Sequence, residues 1–92
     1  MSISFTPLNL NHPELFGVRL AGALGRDGKN FIRRLADGCL ARGKTRLILD
    51  LSKVVSLGGG GAAALADFQA QLVEQGGEMV FVGNGKVVRK LL

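Results

Sequence analysis

At 92 residues, 47% of them hydrophobic and 21% charged, the chain suits one compact domain with its own core and is too apolar for a disordered segment. Five phenylalanines are its only aromatics, so the core must rest on aliphatic side chains, and a lone cysteine excludes an internal disulfide or a structural zinc site. A net charge of +5 raises nucleic acid as a partner, yet the cations are scattered from Arg19 to Lys90 without aromatics interleaved to stack on bases, which favours an acidic protein surface.

The first predicted strand is ISFTPL, residues 3 to 8, with Pro7 confining it to a sheet edge or a strand end. NLNHPE supplies turn residues, and FGVRLAGAL, residues 16 to 24, reads as the second strand of a hairpin. From Asp27 to Ala41 the pattern becomes helical: Ile32, Leu35, Ala36 and Cys39 share one face, while Lys29, Arg33 and Asp37 recur on another. Asp27 is the expected N-cap and Gly43 the expected stop. Cys39 falls on the inner face, where a buried apolar thiol is expected rather than a nucleophile. RLILDL, residues 46 to 51, is aliphatic enough to read as a strand covered on both faces. After SKVVSL and four glycines, a second helix is expected from about Gly60 to Gln75, with Leu65, Phe68 and Leu72 inward and Gly76-Gly77 ending it. EMVFVG, residues 78 to 83, is the last strand, and KVVRKLL begins a helix.

The predicted order is thus β-β-α-β-α-β-α. The strand-helix-strand unit from Leu47 to Val82 calls for parallel pairing and a right-handed crossover. The fold class is α/β, a small mixed sheet with helices mainly on one face. No apolar run nears the roughly 20 residues that span a bilayer, and MSISFTPLN lacks a signal peptide's basic start and apolar core. The expectation is a soluble cytoplasmic protein without membrane insertion, which the lone cysteine also suits.

Glycines between a strand and a helix can hold an anion, because backbone amides approach it unobstructed and the helix N-terminus adds partial positive charge. Gly58, Gly60 and Ala63 even satisfy G-x-G-x-x-A. A dinucleotide site would also want an acidic residue at the end of the next strand, where EMVFVGN has Gly83 and Asn84. The Lys-Ser/Thr of a P-loop is missing too. His12, in a turn beside Pro13, has no partner for acid–base work, and Ser52 and Ser56 have no assigned base. Asp50 reads as a residue that ends its strand and bonds the following turn. Neither catalytic nor metal-ligating residues are expected, and no cofactor.

From Arg46 onward the chain resembles the STAS domain, in its anti-sigma-factor antagonist branch. Members show an aliphatic strand ending in Asp-Leu or Asn-Leu, then Asp-Ser-Ser-Gly or a near variant, a helix, a Gly-Gly pair, and a strand followed by a short helix. Asp50-Leu51, Gly76-Gly77, EMVFVG and VVRKLL match in order and spacing. In VRLAGAL, which takes the place of a strand usually ending Gly-Glu-Leu-Asp, Gly22 and Leu24 agree while Ala23 and Gly25 replace the acids.

The resemblance implies one STAS-like domain over 1–92, with a C-terminal end shorter than is usual in the family. It lays Asp-Ser-Ser-Gly onto Gly58, Gly59, Gly60 and Gly61, of which only the last is kept. Gly60 takes the place of the serine phosphorylated by a kinase that also acts as the anti-sigma factor, and it has no hydroxyl. The implied function is a non-enzymatic bacterial regulatory module, acting in transcription control by protein binding and not switched at Gly60. Its implied contact loop is Ser56, Leu57, Gly58, Gly59, Gly60 and Gly61. Its partner would be an anti-sigma factor with a kinase-like fold, another STAS protein, or a transporter subunit. The alternatives are a small anion or nucleotide bound at the glycine loop and helix N-terminus, nucleic acid held by the basic first helix, and a degenerate or engineered loop with no function of its own.

Overall fold

The computed structural model describes residues 3–8, 15–25, 28–83 and 85. Six elements follow in order: β1 (Ile3–Leu8), β2 (Leu15–Leu24), α1 (Gly28–Ala41), β3 (Arg46–Leu57), α2 (Gly59–Glu74) and β4 (Glu78–Val82). The expected cap Asp27, the turn with His12, and the helix expected in KVVRKLL lie outside the described residues.

The strands form one sheet in the order β1-β2-β3-β4. β1 and β2 are antiparallel, as the hairpin reading requires, with Phe5 opposite Leu20. β3 runs parallel to both β2 and β4. Each parallel connection contains a helix, because strands pointing the same way need a long crossover between them.

Alternation decides which side of the sheet is covered. Val18 and Leu20 of β2, Leu47, Leu49 and Leu51 of β3, and Met79 of β4 are buried in one cluster with Ile32, Ala36 and Cys39 of α1 and Leu65, Phe68 and Leu72 of α2. The cluster contains residues from both helices, so they share one face. The opposite face carries Arg19, half-buried Ile48, and exposed Val80 and Val82. The aliphatic run of RLILDL therefore misled on one point: the described helices, α1 and α2, cover β3 on one side only.

β3 is also longer than RLILDL, continuing through SKVVSL to Leu57. Its pairing with β2 shifts register between Arg19 and Ala21 and again between Gly22 and Ala23. At each shift β3 carries one residue more than its partner, as in a β-bulge. The extra residues break the inward-outward alternation that makes a strand legible in sequence.

Both helices end as expected. Gly43 and Gly76 have φ of +70° and +77°. Lys44 N–H donates to the Cys39 carbonyl and Gly77 N–H to the Leu72 carbonyl, each at 2.8 Å. These six-to-one bonds, with Gly43 N–H to Leu40 and Gly76 N–H to Val73, satisfy carbonyls that a helix end leaves open.

Candidate functional site

The glycine run lies where β3 hands over to α2. Leu57, opposite Leu24 in the ladder, turns into the core, whereas Ser56, opposite Ala23, is exposed. Gly58 takes an extended conformation and is the N-cap of α2. Its N–H donates to the Leu24 carbonyl at 2.7 Å, tying the loop to the end of β2, and its carbonyl accepts from Ala62 N–H at 2.9 Å.

None of the four glycines has a positive φ, so the backbone does not demand glycine here. Space separates them instead. A Cβ on Gly59 or Gly60 would meet nothing within 4 Å, and both positions are exposed. A Cβ on Gly61 would lie 2.7 Å from the Leu24 carbonyl oxygen and 3.0 Å from its Cβ, an overlap with backbone that cannot simply rotate away. Gly58 is intermediate, at 3.4 Å from the same oxygen. The one glycine that the family resemblance retains is thus the one that packing requires.

Leu24, fully buried, is the residue that sequence reading undervalued. It touches the start of α2 through Gly61, and a Cβ on Gly28 would reach its Cδ2 at 3.0 Å. The leucine therefore wedges between the amino ends of both helices and fixes the height of the α2 first turn. A buried leucine in an apolar strand gives no signal of this contact.

The first turn of α2 has no acidic residue and Gly58 supplies no side-chain cap. Its leading amides therefore keep the partial positive charge of a helix start. The result is a small, side-chain-poor knob, with Ser56 beside it as the exposed hydroxyl.

Asp50 does not end its strand, as the sequence suggested, but sits at the first bulge. One carboxylate oxygen accepts Ser52 N–H at 2.8 Å and the other pairs with Arg19 Nε at 2.9 Å. The hydrogen bonds from Ser52, helped less by Arg19, hold its carboxyl below the ordinary value of 3.8 against the upward push of burial. The pair ties β2 to β3 across the sheet. Cys39 is buried and free, and desolvation raises its thiol pKa despite Arg42 and Lys44, so it is an inert core thiol. Among the described residues no group of His, Cys, Asp and Glu could hold a metal ion, and no helix is long and apolar enough to cross a membrane.

A family model described as MlaB, STAS domain, matches residues 11–92. The chain belongs to the STAS family. SpoIIAA, an anti-sigma factor antagonist, in its unphosphorylated form superposes with a TM-score of 0.78 at 18% identity, over 97% of this chain and 81% of that one. The phosphorylated form of SpoIIAA, a Bacillus cell fate determinant, gives 0.76 at 18% identity, over 96% and 79%. An anti-sigma factor antagonist from Mycobacterium paratuberculosis gives 0.78 at 22% identity, over 97% and 74%. At these identities the likeness establishes the fold of this STAS domain. No curated protein sequence matches it.

Proposed function

We propose that this STAS domain is a non-enzymatic, protein-binding regulatory module of the anti-sigma-factor antagonist type. It docks through Ser56–Gly61 and the start of α2, and it is not switched by phosphorylation at position 60. The observation that carries the reading is the contrast within the glycine run. Gly61 is held against Leu24, while Gly60 is exposed with room for a side chain it does not have. The frame of a modifiable site is kept and its hydroxyl is gone. A partner meeting this surface would find a fixed first turn, with no phosphoryl group to add roughly −1.5 to −2 charges.

The partner that fits is a protein: an anti-sigma factor with a kinase-like fold, another STAS domain, or a transporter subunit. SpoIIAA, which shares the fold, is known in both phosphorylated and unphosphorylated forms. Binding assays with neighbouring-gene products, combined with a kinase assay, test the proposal. The wild-type chain should bind in the presence of ATP and take up no phosphate, whereas Gly60→Ser should become a substrate. Phosphate found on Ser56 or Thr45 of the wild type would overturn the unregulated reading.

A small anion at the α2 amino end is the second reading, favoured by the uncapped first-turn amides. Calorimetry with inorganic phosphate and nucleotides separates the two. Saturable binding lost in Gly60→Asp supports the anion, and silence toward all of them removes it.

A further inference from the structure

Three of the five phenylalanines converge at the other end of the molecule. Phe5 of β1, Phe16 at the start of β2 and Phe31 of α1 line a pocket of about 370 Å³ between the sheet edge and α1. Phe5 and Phe31 hold their ring centroids 5.8 Å apart in a tilted contact, and Phe5 remains 48% exposed. Large apolar rings left open to water in a concavity cost solvation that an apolar ligand would recover.

The same pocket is bordered by Arg34, Arg42 and Lys44, with no acidic residue among the described residues that line it. Arg42 and Lys44 follow the end of α1, an ordinary place for cations. Arg34 is not explained that way, since it sits mid-helix and points to the same rim. Neither Arg34 nor Arg42 has an ion-pair partner among the described residues. Apolar walls with convergent cations describe a site for a molecule with an apolar body and an anionic head. The volume is at the small end of the roughly 300–1,000 Å³ typical of ligand pockets.

The geometry points to a binding site for a small amphiphilic anion, a medium-chain carboxylate or alkyl phosphate, between β1, β2 and α1. Its body packs on Phe5, Phe16 and Phe31, and its head meets Arg34 and Arg42. The site is separate from the glycine loop: Phe16 and Leu24 stand at opposite ends of β2, roughly 25 Å apart at a strand's rise per residue. Its occupancy therefore does not depend on the partner proposed above.

The test is a titration followed by backbone amide NMR, using sodium decanoate, decyl phosphate and, as a charge control, decyltrimethylammonium, all below their micelle thresholds. Either anion should shift the Phe31, Leu35 and Gly38 amides saturably and leave Gly59 to Gly61 still. The cation should bind about tenfold more weakly or not at all. Arg34→Glu combined with Arg42→Glu changes only exposed side chains and should weaken decanoate about tenfold with an unchanged thermal midpoint. Equal binding of the cation, an unchanged affinity in the double variant, or shifts centred elsewhere would each overturn the assignment. So would binding to anionic phospholipid vesicles without binding of either monomeric anion.

Discussion

Replacing Gly60 and Gly61 separately by alanine tests whether the glycine run is a vacancy or a necessity. At Gly60 the added Cβ meets nothing within 4 Å and the backbone is helical. The change removes freedom from the unfolded chain and should stabilise by about 0.4–1 kcal/mol. At about 4–8 °C per kcal/mol for a domain of this size, the midpoint should rise by roughly 2–8 °C. At Gly61 the same entropic gain is opposed by an overlap at 2.7 Å with the Leu24 carbonyl oxygen and 3.0 Å with its Cβ. Overpacking of a close-packed contact costs about 1–3 kcal/mol, so the net effect is a loss of up to about 2.6 kcal/mol and the midpoint should fall by up to roughly 20 °C. Thermal unfolding by circular dichroism, checked by urea titration for an unchanged slope, reads both signs. If Gly61→Ala is stabilised as much as Gly60→Ala, or Gly60→Ala falls below the parent, Leu24 does not define this turn and position 60 is not an emptied one.

Phe68, buried at the centre of α2, should cost about 3–5 kcal/mol as Phe68→Ala, enough to leave a domain of ordinary stability marginal in urea unfolding. Asp50→Asn should cost about 1–2 kcal/mol by weakening acceptance of Ser52 N–H, whereas Arg19→Ala, at a half-exposed partner, should stay within about 1 kcal/mol. Because the folded Asp50 carboxyl lies below its ordinary 3.8, its contribution is complete above that pH and is lost as pH falls toward the depressed folded value. Acid titration of stability should therefore show a smaller drop below pH 3.8 in Asp50→Asn than in the parent. Cys39 should resist thiol reagents in the native protein and react orders of magnitude faster once unfolded, and rapid native labelling would contradict its burial.

Much of the fold is legible because its signals are local. A helix stop needs a glycine that adopts positive φ, and Gly43 and Gly76 announce themselves. The inward stripe Leu65, Phe68 and Leu72 follows from helical spacing, and the parallel β3–β4 pair follows from the helix between them. The resemblance to STAS domains rested on Asp50-Leu51, Gly76-Gly77 and the strands around them, and the family match over residues 11–92 agrees with it. SKVVSL was not legible as strand because two bulges disrupt its alternation. Asp50 looked like a strand end because its partner, Arg19, is 31 residues away and reaches it only through the β2–β3 register.

The sequence by itself determined the order of the six described elements (though not the length of β3), the order of the crossovers, and the absence of a hydroxyl from Gly58 to Gly61 at a strand-to-helix junction. Those are properties of neighbouring residues and of side chains that are simply not there. Only the tertiary structure decided which of the four glycines is required, because the deciding atom belongs to Leu24 on another strand. It also brought Phe5, Phe16 and Phe31 to one pocket beside Arg34. Contacts of that kind depend on sheet register and helix packing, which set distances between residues that no sequence spacing relates.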